Sequence, residues 1–130
     1  MKKFICICML FVVWSASPAK AETSPIWDGR ELVRGCDLVI RTFSGEKVSE
    51  DGNNLAFYTN GYLSGYVQAH DVSGGFKSDK GDFCLPANVY TIHLARTIVK
   101  YTQTHPEELV KKPKDIVLSA LTGSYPCKKK

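Results

Sequence analysis

The sequence predicts an all-α fold: a small bundle of four main helices plus a short turn, stapled by a disulfide. Three observations predict it. Apolar residues recur at three- and four-residue steps in four separate segments. No stretch alternates apolar and polar residues with the period of two that half-buried strands require. Two cysteines, Cys84 and Cys127, bracket the last two helical segments.

The chain is 130 residues long, and its first 21, MKKFICICMLFVVWSASPAKA, stand apart from the rest. Lys2 and Lys3 precede an unbroken apolar run from Phe4 to Trp14, and small residues follow, ending in Ala19-Lys20-Ala21. This is the three-part layout of a secretory signal with an A-x-A cleavage site. The run is too short to cross a bilayer, which takes about 20 residues. Cys6 and Cys8 follow no small residue, which argues against lipidation there. The expected division is a signal peptide over 1–21 and one helical domain over 22–130, with export to the periplasm and no membrane association after cleavage. Lys2, Lys3 and Lys20 leave with the signal, so the formal charge of +4 falls to nearly zero. Nucleic-acid binding calls for a clustered basic face. Only the KKPK and terminal KKK runs qualify, and both read as solvated ends.

The first helix is expected in DGRELVRGCDLVIRTF, with Asp28 as its cap and Leu32, Cys36, Val39, Ile40 and Phe43 on the apolar side. SGEKVSEDGNN follows as a polar connection and the expected mobile loop. The second helix, NNLAFYTNGYLSGYVQAHDV, would be capped by Asn53 or Asn54 and would bury Leu55, Tyr58, Tyr62, Tyr66 and Ala69. Gly61, Gly65 and Ala69 recur every four residues. Each glycine costs roughly 1 kcal/mol in a helix interior relative to alanine. The expected compensation is close approach of a neighbouring helix along that groove; the alternative is that the glycines break the segment in two.

A second loop, SGGFKSDKGD, leads to a helix starting near Thr91 with Leu94, Ala95, Ile98, Val99 and Tyr101 on its apolar side. Pro106 ends it, because proline disfavours helical geometry in the residue before it, and is expected to open the turn PEEL with Glu107 and Glu108 at a helix start. The last helix runs from Pro113 to about Leu121, burying Ile116, Val117, Ala120 and Leu121, with Gly123 as the stop.

Export leaves three cysteines, Cys36, Cys84 and Cys127, in an oxidising compartment where bridges persist. If the third and fourth helices pack as an antiparallel pair, Cys84 and Cys127 meet at their outer ends. Closing that loop stabilises by roughly 4 kcal/mol on the chain-entropy account. Cys36 is then a buried free thiol, or the partner in an intersubunit bridge or another pairing.

The segment from Phe83-Cys84-Leu85-Pro86 through Val99-Lys100-Tyr101, His105-Pro106-Glu107, the apolar stretch Ile116 to Leu121 and Tyr125-Pro126-Cys127 resembles the signature of the Rap/Tai immunity proteins. Members protect bacteria against peptidoglycan amidase effectors of type VI secretion. GYLSGYVQAHD in the second helix is similar to the family's Gly-Tyr-x-x-Gly segment, and ELVRGC to its first-helix cysteine. Thr59 stands where members often carry a second cysteine, so the usual partner of Cys36 is missing. The resemblance implies a periplasmic, helical, often homodimeric protein that binds an amidase and blocks its catalytic cleft.

A cysteine nucleophile would need an activating base, and the candidates are Cys84 or Cys36 with His70, His93 or His105. The expected bridge removes one thiol and burial the other. Cys84 with His93 makes no recognised metal-ligand spacing, and Asp79 with Asp82 reads as a solvated loop. No catalytic residue, metal or cofactor is therefore assigned, and an enzyme is not expected. The expected function is a periplasmic inhibitor acting by occlusion, held by a few aromatic or basic anchors. Phe76 and Lys77 in the second loop are the expected contacts. The alternative is a non-enzymatic periplasmic stress or acid-protection factor, or a small-ligand binder.

Overall fold

The computed structural model describes residues 26, 28–73 and 81–128. Four α-helices and one 3-10 turn make up these residues: α1 (Gly29–Phe43), α2 (Glu50–Val72), α3 (Thr91–Thr104), the turn Pro106–Val110, and α4 (Pro113–Ser124). The expected all-α bundle of four main helices and a short turn is what forms. The segment 1–21 and the loop residues Phe76, Lys77 and Asp79 lie outside the described residues.

α1 is the central helix, packing against α2, α3, the 3-10 turn and α4. Asp28 caps it as expected, its carboxylate accepting from the N–H groups of Arg30 (2.9 Å) and Glu31 (3.0 Å). That satisfies donors every helix start leaves unpaired. Leu32, Cys36 and Val39 are buried as the spacing predicts. Leu38 joins them, and Phe43, expected on the core side, is instead 71% exposed at the last helical position. Gly45, at φ +80°, turns the chain just beyond.

α2 departs most from expectation. It starts four residues earlier, capped by Ser49, whose hydroxyl accepts from the N–H of Gly52 at 3.1 Å. Its core stripe is Gly52, Leu55, Ala56, Thr59 and Leu63, so Tyr58 and Ala69 lie outside it. Gly61 and Gly65 neither receive a neighbouring helix nor break the segment: the helix runs through both, and a Cβ built on either meets nothing within 4 Å. The close approaches are elsewhere. A Cβ on Gly35 would overlap Thr59 Oγ1 across the α1–α2 contact, and one on Gly29 would overlap Ile116 Cδ1 and sit 2.7 Å from the Leu109 carbonyl oxygen.

α3 begins at Thr91, where the N–H of Tyr90 donates to His93 Nδ1 at 3.1 Å. It buries Ile92, Leu94, Ala95, Ile98 and Thr102, while Val99 and Tyr101 are half-buried. Pro106 ends it as expected, and Pro113 opens α4 from a buried first-turn position. α4 buries the four residues its pattern predicts but continues through Gly123 to Ser124, three residues past the expected end at Leu121. The buried threonines keep their hydroxyls satisfied within their own helices, Thr59 donating to Leu55 O at 2.8 Å and Thr102 to Ile98 O at 3.0 Å.

Cys84 and Cys127 are joined, with Cα atoms 4.9 Å apart. Beside the bond, the Cys84 N–H donates to the Tyr125 carbonyl at 2.8 Å. Phe83, fully buried, stacks on His70 of α2 with ring centroids 4.0 Å apart. The stapled end is thereby tied to the end of α2.

Candidate partner-binding surface

The catalytic candidates are placed where chemistry is suppressed. Cys84 carries no thiol. Cys36 is free and fully buried, and burial pushes its pKa up to about 12, the opposite of an activated nucleophile. His70 stacks on Phe83, and His105 stacks on Tyr101 at 4.3 Å with its Nδ1 3.0 Å from that residue's carbonyl oxygen. Burial also raises the Tyr62 phenol to about 12. Among the described residues no group of three or more His, Cys, Asp or Glu could hold a metal ion, and no helix is long and apolar enough to cross a membrane.

Binding surface is another matter. Between α1 and α2 lies a groove of about 300 Å³ walled by Val39, Phe43, Ala56 and Phe57, with Thr42, Asn53 and Asn60 as its polar rim. Phe43 and Phe57 stand open on either side of it, Phe57 75% exposed. A second cleft, about 380 Å³, lies between the end of α2 and the chain after Cys84; Val67, Leu85, Pro86 and Val89 line it, and Asp71 is the charged residue among the described ones at its wall. A third hollow holds Arg34, Arg41 and Lys47 near the start of α2. Its charge is compensated: Arg41 reaches Asp37 at 3.8 Å and pairs with Glu46, whose carboxyl it holds below its ordinary range.

Of the residues singled out from sequence, Cys84 and Cys127 come together, while Phe76 and Lys77 lie outside the described residues. Phe43 was expected in the core, and the exposed Phe57 was missed. The available signal was the absence of any charged residue from Gly52 to Ala69, unusual for a helix with a solvent face.

The described residues form a stapled helical bundle with apolar hollows open at its surface and one buried free thiol. The chain belongs to the Rap1a immunity protein family, whose model matches residues 28–127. No curated protein and no solved structure matches. The match begins at the Asp28 cap and ends at Cys127, so it spans the whole stapled bundle.

Proposed function

We propose that this chain is a periplasmic immunity protein that binds a peptidoglycan amidase effector and occludes its catalytic cleft. The observation that carries the reading is the family match over the entire bundle. It is supported by the layout of residues 1–21, which suits export, and by a disulfide that suits an oxidising compartment. Such a protein works by binding and needs no catalytic residue of its own. The proposed contacts are Phe76 and Lys77, together with the cleft formed by Val67, Leu85 and Val89 on the same stretch of chain. Aromatic anchors and the apolar pockets they fill dominate interface energetics.

The test is stoichiometric inhibition. The purified protein is titrated into a cell-wall amidase encoded beside it or recovered with it from periplasmic extract, and hydrolysis of peptidoglycan is followed. The expected result is loss of activity at one equivalent. Tight binding without inhibition would remove the occlusion step, and recovery of no amidase at all would overturn the reading.

A further inference from the structure

The groove between α1 and α2 is made by two facing stripes. Val39, Thr42 and Phe43 stand at three- and four-residue steps on α1, and Asn53, Ala56, Phe57 and Asn60 do so on α2. Val39 and Ala56 are buried and form an apolar floor, while the rings of Phe43 and Phe57 stand exposed at its sides. Among the described residues none that lines it is charged. The Asn53 and Asn60 amides are exposed and make no hydrogen bond among the described residues. Thr42 donates its hydroxyl proton to the Leu38 and Val39 carbonyls at 2.8 and 3.1 Å, so it offers a ligand lone pairs only. At about 300 Å³ the groove has the size of a small-molecule site, and its mostly apolar lining with a few neutral polar groups is the usual build of one.

We propose that this groove binds two linked N-acetylhexosamine rings of a β-1,4 glycan, the sugar strand of the bacterial wall. The lining selects against other chemistries. A phosphate, carboxylate or ammonium group would be desolvated there with no opposite charge beside it. A purely apolar group would leave both asparagine amides without partners. A pyranose ring meets both demands, because its faces are C–H groups that stack on an aromatic ring and its edge carries neutral hydroxyls. The N-acetyl substituent adds a methyl for the floor of Val39 and Ala56 and an amide that pairs with an asparagine. Asn53 and Asn60 are two helical turns apart, about 10 Å along α2, with Phe57 between them. That span matches two rings rather than one. Bound this way, the protein rests on the polymer whose peptides a wall amidase cleaves. The inference concerns the glycan and not the effector, so its failure leaves the occlusion reading standing.

Amide NMR of the protein, expressed with its own leader and purified, tests it. The probes are chitotriose, three β-1,4-linked N-acetylglucosamine rings, and cellotriose, the same chain without acetamido groups. Chitotriose is expected to shift the amides of residues 39–43 and 53–60 saturably, with a Kd of about 1 mM. Cellotriose is expected to bind at least about fivefold more weakly, having no amide to pair with the asparagines. Phe57→Ala and Asn60→Leu each change an exposed side chain, so the thermal midpoint is expected to hold while chitotriose affinity falls about tenfold. No saturable shift up to about 10 mM sugar, shifts spread over the whole surface, or an equal response to both trisaccharides would overturn the proposal. So would an affinity that neither variant alters. Groove amides that move with protein concentration and not with sugar would assign the groove to a second copy of the chain, and the glycan would be ruled out.

Discussion

Gly35 and Thr59 set the distance between α1 and α2, because the glycine leaves just the space the threonine side chain fills. Adding a methyl there forces either helix or rotamer to move, and overpacking of this kind costs about 1–3 kcal/mol. Gly35→Ala is expected to lower stability by that amount in urea unfolding, and Thr59→Ala in the same chain is expected to restore part of it. Additive losses in that double-mutant cycle would mean the two residues are not in contact. Next to Gly35, Cys36 tests the core by its protonation. Its ordinary pKa of 9.0 applies to the unfolded chain, and burial raises it to about 12 in the folded one. The stability this thiol contributes is therefore full below about pH 9 and is lost as pH rises towards 12, because only the unfolded chain releases the proton. Relative to Cys36→Ala, the native protein is expected to lose stability more steeply over that range. Ellman's reagent is expected to find no reactive thiol in the folded, unreduced domain beginning at Glu22 and one after denaturation.

The same substitution has the opposite sign on α2. Gly65 lies inside a helix with nothing within 4 Å of a built Cβ, so Gly65→Ala is expected to raise stability by about 0.5–1 kcal/mol in dilute protein, measured by urea unfolding. The contrast with Gly35 explains what was legible in the sequence at this scale. Helix existence followed from apolar spacing, and α1, α3 and α4 started where Asp28, Thr91 and Pro113 placed them. The start of α2 was misread because Asn53 and Asn54 adjoin its first apolar residue, whereas the cap is Ser49, ahead of a polar first turn. Its buried face was misread in part, because exposed Tyr58 and Ala69 continue the regular spacing of Tyr62 and Tyr66, which pack half-buried against the core. The true stripe includes Thr59 and Gly52, which no hydrophobic scale would rank as core. Glycines at intervals of four told of a groove without telling which side of the helix faces inward. In this chain the groove faces out, and the exposed aromatics beside it were hidden for the same reason.

At the scale of the whole molecule, the long-range tie was the easiest feature to read, because two cysteines bracketing an antiparallel helix pair leave few other geometries. The partner-binding surface was the hardest, since it depends on which apolar residues the core leaves uncovered. A domain of this size has a limited core, and the bond from Cys84 to Cys127 closes a loop with a sequence separation of 43. On the chain-entropy account that contributes about 4 kcal/mol, a large fraction of the 5–15 kcal/mol typical of a domain. Replacing both cysteines by serine is expected to lower the thermal midpoint by roughly 15–30 °C. Helix content at low temperature is expected to survive, because the core of α1, α3 and α4 does not include either sulfur. The backbone bond between Cys84 and Tyr125 and the Phe83–His70 stack hold the same end without the covalent link. Opening there is therefore expected to be local before it is global: amide exchange of residues 83–90 and 122–127 should accelerate more than that of α1 when the bond is reduced. Uniform acceleration across all four helices would show that the tie acts only through the unfolded chain, with the native end equally well held in its absence.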